Sequence, residues 1–342
     1  MDSTIQKNVS LAAHTTLKVG GAADYFVRVT TVEELKQAVT FAQQKALPVF
    51  LLGGGSNVLF ADDGFRGLVI QNAIAGISYV EEAGAVALVC GAGEMWDSLV
   101  ADAVSKEYWG LENLSAIPGT VGATPYQNVG AYGVEVSSLI TRVVCLHVDT
   151  LEEKIFSNQA CAFGYRDSYF KTAAGKKWII TQVHFQLSVV AKPVLEYKDV
   201  AHLQTRKNLT AQAVRDEIIS IRSQKFPDWD TVGTAGSFFK NPIISDAQYT
   251  ALKETYPELP AFAASSGEWK VSLGWILDKA LHLKGYCEQD VCLYEKQALV
   301  LVNYGHSTAH IKSFYQAIQK RVHAEMGIVI KPEVQVVENN FK

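Results

Sequence analysis

The chain has 342 residues, 48% of them hydrophobic and 19% charged, with 25 glycines and 9 prolines. That length is ample for two or three domains, and the composition is globular, which excludes disordered, collagen-like and low-complexity chains. A net charge of −4 excludes an overall positive field able to grip a nucleic-acid backbone, so a small-molecule function is expected.

Residues 1–10 hold no apolar run that could serve as a signal peptide, and nowhere do 18 apolar residues occur together, as a spanning helix would require. Cys90, Cys145, Cys161, Cys287 and Cys292 are odd in number and lack CxxC spacing. The expectation is therefore idle thiols in a reducing compartment, with no disulfide framework, no zinc site and a cytoplasmic location.

In chain order, Ala23–Val29 alternates like a strand. Thr31 with Glu34 forms a capping box, opening a helix that carries Val32, Leu35, Val39 and Ala42 at helical spacing. Pro48–Leu52 reads as a buried strand ending on Gly53-Gly54-Gly55, which completes a β-α-β rhythm. From Gly67 to Leu187 short strands (Leu68–Ile70, Ala85–Cys90, Val143–Val148, Trp178–Leu187) alternate with glycine loops, and one helix stands out, Trp96–Glu107. Lys192–Thr210 is polar and aperiodic, a surface excursion, and Ala211–Gln224 is an amphipathic helix with Val214, Ile218 and Ile221 inward. The last third holds a loop at Gly233–Pro242, a helix near Gly274–Leu283 stopped by Gly285, and a strand at Ala298–Val302. A long helix bearing Ile311, Phe314, Ile318 and Val322 follows and is ended by Gly327. Pro332 marks the final strand, Ile328–Val337, as an edge or a break.

Three glycine-rich stretches bear on chemistry. Gly53-Gly54-Gly55-Ser56-Asn57 follows a strand and can either present its amides to phosphate or form a tight structural turn; no Gly-Lys-Ser/Thr follows, so it is not a Walker loop. Gly91-Ala92-Gly93-Glu94-Met95-Trp96 mimics a dinucleotide fingerprint, but Trp96 stands where the third glycine is needed and the later acidic strand end is missing. A Rossmann dehydrogenase is thus disfavoured. Ile117 to Gly133 combines four glycines, two prolines and small polar residues into an ordered wall suited to a flat heteroaromatic ring and a pyrophosphate, that is, a dinucleotide or a flavin.

Taken together, Thr16-Leu17-Lys18-Val19-Gly20-Gly21, Gly53-Gly54-Gly55-Ser56-Asn57-Val58-Leu59, Ile117-Pro118-Gly119-Thr120-Val121-Gly122-Ala123, Phe163-Gly164-Tyr165-Arg166-Asp167-Ser168, Gly236-Ser237-Phe238-Phe239-Lys240-Asn241-Pro242 and Lys331-Pro332-Glu333-Val334 stand in one order across residues 16–334. In that order they resemble the UDP-N-acetylenolpyruvoylglucosamine reductase family. The resemblance implies an α+β chain with an FAD-binding fold of the vanillyl-alcohol-oxidase (PCMH) type in two lobes, plus a C-terminal α+β substrate-binding lobe. The lobes are expected at 1–70 (completed by the C-terminal strand 328–342), 71–225 and 226–327. Val194-Leu195-Glu196-Tyr197-Lys198-Asp199 resembles the family's long form, in which a tyrosine loop covers the bound nucleotide.

The implied cofactor is noncovalent FAD, held by Gly53, Gly54, Gly55, Ser56, Asn57, Pro118, Gly119, Thr120, Gly122, Ala123 and Gln127, with NADPH as co-substrate and no metal. The implied reaction, a step in peptidoglycan precursor synthesis, passes hydride from NADPH to flavin N5 and on to the enolpyruvyl group of the substrate, after which a proton follows. Three residues match the family's catalytic positions: Arg166 to pair the carboxylate, Glu333 to donate a hydrogen bond once burial keeps it protonated, and Ser237 to deliver the proton. Tyr132, Tyr197, Arg222, Lys225 and Asn241 match its substrate-binding positions. A monomer without nucleic-acid or membrane partners is expected. An oxidase of the same fold and a non-catalytic nucleotide-binding module are the alternatives. The intact Arg166, Ser237 and Glu333 speak against the module, and the Arg166–Glu333 pairing speaks against the oxidase.

Overall fold

The β-α-β rhythm of the first fifty residues is realised as the strand Ala22–Val29, the helix Val32–Gln44 and the strand Val49–Leu52 in the computed structural model, which describes residues 4–339. Leu35, Ala38, Val39 and Ala42 recur on one face of the helix and pack on Val27, Val29, Leu68 and Ile70. The hydroxyl of Thr31 accepts from the Glu34 amide (3.1 Å), as the capping pattern requires. The Glu34 carboxylate instead reaches one residue further back, to the amide of Thr30 (2.6 Å), so the capping box is displaced by one position. Val49–Leu52 runs parallel to Phe65–Asn72, and a four-stranded sheet follows in the order Gln6–Ser10, Ala22–Val29, Phe65–Asn72, Val49–Leu52.

The chain divides into two compact units. The first holds the described residues up to Val9, Ala23–Gly54 and Arg66–Arg222, and beside the four-stranded sheet it contains a five-stranded antiparallel one. The long central strand Trp178–Ser188 lies between Ile140–His147 and Ala85–Gly91, with Glu153–Ser157 and Ile77–Glu82 outside them. The helices Trp96–Ser105 and Ala211–Lys225 cover this sheet, burying Trp96, Leu99, Val100, Val214 and Ile218 with Val86, Leu88 and Val183. Because both neighbours of Ala85–Gly91 are antiparallel, the glycines after it do not belong to a nucleotide-binding β-α-β unit. Trp96 is buried, and its indole N–H donates to the Leu114 carbonyl at 2.8 Å.

The second unit comprises Ser10–Ala22, Gly55–Phe65 and the described residues from Ser223 on. Its four-stranded antiparallel sheet runs Gly233–Ser237, Val300–Asn303, Val291–Leu293, Cys287–Glu288. The helix Thr308–Met326 seals its core through Ile311, Phe314, Ile318 and Val322, and Gly327 ends it at φ 65°, a left-handed conformation that suits glycine. Three local differences from the sequence reading appear. The segment near 274–283 is a short α-turn, Leu273–Trp275, running into a π-helix, Ile276–Ala280. A helix at Asp246–Thr255, capped reciprocally by Ser245 and Gln248, went unread because it buries no apolar stripe. The last strand shrinks to Gln335–Val337, parallel to Val58–Phe60, while Pro332 makes a single bridge with Phe239.

The cysteine reading needs correction. Cys287 and Cys292 form a disulfide. They are direct partners across the hairpin of Cys287–Glu288 with Val291–Leu293, turned through Gln289 at φ 54°, which brings their Cα atoms to 4.1 Å. A four-residue gap gives no hint of this until the hairpin register is known. Cys90, Cys145 and Cys161 remain buried thiols, and burial pushes Cys90 and Cys161 up to about 12. Alkylation in denaturant without reductant should therefore label three thiols by mass, and five after reduction. Five labels before reduction would contradict the pairing.

Candidate active site

Within the first unit, two glycine loops meet backbone to backbone. A Cβ on Gly54 would lie 2.9 Å from the Gly119 Cα, and one on Gly53 would lie 2.6 Å from the Thr120 hydroxyl oxygen and 3.9 Å from the Ala123 Cβ. The wall is fastened from its other side as well. Gly122 N–H donates to Ala92 O (2.8 Å), Val121 N–H to Glu94 O (2.9 Å), and Trp96 N–H to Gly119 O (3.0 Å). The false fingerprint at residues 91–96 is thus the buttress of the wall that begins at Pro118. Gln127 follows directly, at the C-cap of the short helix Ala123–Tyr126.

The same unit gathers the cationic residues. Arg166 sits at φ 51° in the turn closed by reciprocal amide–carbonyl bonds between Gly164 and Asp167 (3.0 and 3.1 Å), and its carbonyl accepts from Lys171 Nζ at 2.7 Å. A Cβ on Gly130 would come within 3.3 Å of Arg166 Nη1, so this glycine leaves room for the guanidinium. Arg222 projects from the helix Ala211–Lys225, donates from Nε to Ala116 O (3.1 Å) and is hydrogen-bonded to the Tyr132 hydroxyl. Burial pulls its pKa down and the nearby Arg166 charge adds to this, while Tyr132 and Asp97 oppose it. Both guanidiniums carry a planar fork of donors whose chemistry suits carboxylate and phosphate groups. Burial raises the Tyr132 pKa, and its ring meets that of Tyr197 edge-on, centroids 5.5 Å apart.

Sequence reasoning missed what fixes this cluster. Arg215, two helical turns before Arg222 and 8% exposed, grips Asp97 with both ends of its guanidinium (2.6 and 2.8 Å). Asp97 also accepts from the Ala116 amide at 2.5 Å. Burial works to raise the Asp97 pKa, but Arg215, the Ala116 amide and the Arg222 charge outweigh it and hold the carboxyl below its usual range. The signal was present as an arginine seven residues before Arg222, on the same helix face, but nothing local named Asp97 as its partner.

The second unit holds the other matched positions. Thr234 and Ser237 pair with Val302 and Val300 across a register shift, a bulge placed at Ala235–Gly236 with Gly236 at φ 70°. Such bulges re-aim the following side chain. Among the described residues the Ser237 hydroxyl makes no hydrogen bond, so it is not tied into its own turn. The next residue, Phe238, accepts the amide of Glu333 at 2.8 Å, which puts Ser237 and Glu333 on bonded segments. Glu333 is half-buried rather than enclosed. Asn57, read as a cofactor residue, donates from its amide to the Glu333 carbonyl (3.4 Å), and Gln335 N–H donates to Asn57 O (3.1 Å). Gly55 and Ser56 precede it. Gly55 lies at φ 66° with the His14 carbonyl 1.9 Å from where a Cβ would sit. Lys225 is followed by Phe226, whose ring approaches Gly236, and Asn241 Oδ1 accepts the Leu273 amide at 3.0 Å.

These features define an α+β flavoprotein. A family model described as "FAD binding domain" matches residues 23–151, and one described as "UDP-N-acetylenolpyruvoylglucosamine reductase, C-terminal domain" matches residues 227–337. Full-length relatives agree. The UDP-N-acetylenolpyruvoylglucosamine reductase of Pasteurella multocida is 39% identical over 93% of this chain and 93% of its own length, and that of Chromobacterium violaceum is 38% identical over 97% and 99%. The chain belongs to the UDP-N-acetylenolpyruvoylglucosamine reductase family. The crystal structure of that reductase from Thermus caldophilus, 24% identical, superposes with a TM-score of 0.69 over 98% of this chain and 100% of the other, which bears out the expected fold class.

The residues present fit FAD. Where Gly53 and Gly54 meet Gly119 and Thr120 there is no room for a side chain, so the loop Gly53–Gly55 runs as bare backbone, which an extended pyrophosphate can approach closely. Gly54→Ala should therefore yield protein with at least about tenfold weaker FAD retention, read as flavin absorbance per protein after gel filtration. Full retention would show that the glycine contact is not part of the cofactor site.

Proposed function

We propose that this protein reduces UDP-N-acetylglucosamine enolpyruvate to UDP-N-acetylmuramate, with NADPH as reductant, for peptidoglycan precursor synthesis. The observation that carries the reading is the bond from the Glu333 amide to Phe238, which holds the two motif segments bearing Ser237 and Glu333 side by side. FAD, held by Gly53 to Asn57, Pro118 to Ala123 and Gln127, supplies hydride transfer when bound.

The rest of the chemistry falls to side chains. Net reaction adds a hydride to the terminal enolpyruvyl carbon and a proton to its neighbour, converting NADPH to NADP⁺. Negative charge gathers at the neighbouring carbon and its carboxylate before the proton arrives. Arg166 pairs that carboxylate through a planar fork of permanent charge, and Glu333, half-buried here, donates a hydrogen bond to the same group once bound substrate covers it and keeps it protonated. Ser237 delivers the proton; its bulged strand and untied hydroxyl support that role. Arg222, Lys225 and Asn241 answer the diphosphate, and Tyr132 and Tyr197 offer rings and hydroxyls to the nucleotide.

The division into lobes 1–70 (with 328–342), 71–225 and 226–327, a monomeric state and a cytoplasmic location belong to the same proposal. Among the described residues no helix is long and apolar enough to cross a membrane. Ser237→Ala should leave flavin reduction by NADPH within about threefold of wild type and lower product formation about 10²-fold or more, as expected for loss of a general acid. Equal loss of both half-reactions in stopped-flow absorbance would make Ser237 structural instead.

A further inference from the structure

Asn113 lies in the short turn Glu112–Leu114, just before the wall, and is fully buried. Its amide nitrogen donates twice, to the carbonyl of Tyr132 (2.8 Å) and to the carbonyl of Val194 (2.8 Å). Both partners are acceptors, which fixes the amide's orientation. Its oxygen, Oδ1, then has no partner among the described residues. A buried amide with an idle oxygen is a poor choice as core filling, since an apolar residue would avoid the loss; the two donors are what this position requires.

The bonds join two irregular segments. Tyr132 (φ 47°) and Gly133 (φ 87°) are both left-handed, and a Cβ on Gly133 would stand 3.5 Å from Val194 Cγ1 and 3.8 Å from the Tyr197 Cβ. The turn beneath Asn113 is itself anchored, because Leu114 O accepts the Trp96 indole and Glu112 accepts the Gly110 amide at 2.6 Å. By contrast, the segment around Val194–Val200 has no regular secondary structure, and its neighbouring bonds, Gln204 to Leu195 O (3.0 Å) and Val200 N–H to Tyr197 O (2.9 Å), stay within the same excursion.

We infer that Asn113 is a positioning residue that clips the Tyr197 segment to the Tyr132 segment, and so holds the two rings edge to face for the nucleotide-sugar. The clip deepens the substrate-binding role proposed above for these tyrosines, and its catalytic consequence rests on that reading; the clip itself rests on the hydrogen bonds alone. Asn113 touches neither substrate nor cofactor in this account.

The test uses FAD-loaded enzyme with Asn113→Ser, and Asn113→Asp as the isosteric variant should the first fail to hold FAD. Hydrogen exchange of peptides covering 189–200 should quicken about tenfold or more. KM for UDP-N-acetylglucosamine enolpyruvate should rise about tenfold, with the rate of flavin reduction by NADPH unchanged. In a Tyr197→Ala background the same substitution should add less than about twofold, because the clip acts through that ring. Unchanged exchange, or a full-sized KM effect in the Tyr197→Ala background, would overturn the inference. Should wild-type enzyme fail to turn over the nucleotide-sugar, the substrate reading falls, and the exchange measurement still decides whether Asn113 is a clip.

Discussion

At Gly54 and Gly119 two backbones approach so closely that a methyl group has no room between them. That contact is a constraint on everything around it. It obliges the strand Val49–Leu52 to end on bare glycine, and it sets the facing wall to bring main chain at Gly119 and only the small side chains of Thr120 and Ala123 against it. It also explains the heavy fastening behind the wall, where Ala92, Glu94 and Trp96 each exchange a main-chain hydrogen bond with residues 119–122. Behind the wall the Gly119 carbonyl and the Val121 and Gly122 amides are occupied in this way, which holds its shape.

Charge is the second constraint. Arg166 and Arg222 stand near enough for one to disfavour the charge of the other, and Arg222 is also penalised by burial. Such an arrangement persists only when fixed by something stronger. The bidentate Arg215–Asp97 pair, passing through the Ala116 amide to the Arg222 contact with Ala116 O, provides it. The helix Ala211–Lys225 thus carries both arginines at seven-residue spacing, with Arg215 anchored on Asp97 and Arg222 on the Ala116 carbonyl.

Periodicity in the chain made many regular elements legible: the helix Val32–Gln44, the helix Ala211–Lys225, the long helix ended by Gly327 and the three inner strands of the five-stranded sheet follow from apolar spacing, whereas its mostly exposed outer strands Ile77–Glu82 and Glu153–Ser157 were not read. Elements without an apolar stripe were not legible in that way. Asp246–Thr255 buries none of its residues, and only its Ser245–Gln248 capping box marks it. The Cys287–Cys292 bond depends on hairpin register, and the partners of Arg215 and Asn113 lie far away in sequence, so local pattern carried no word of them. At the site, motif resemblance named Ser237, Arg166 and Glu333. It did not anticipate that Asn57 spends its side chain on the Glu333 carbonyl, a contact that only the fold reveals.

A reductase of this kind cycles between two substrates, and an anaerobic visible spectrum of the purified protein tests that most directly. Addition of NADPH should bleach the flavin band, and subsequent addition of UDP-N-acetylglucosamine enolpyruvate should restore it in one-to-one proportion. A flavin band that bleaches with NADPH and returns only on admission of air would contradict the claim and place the protein among the oxidases.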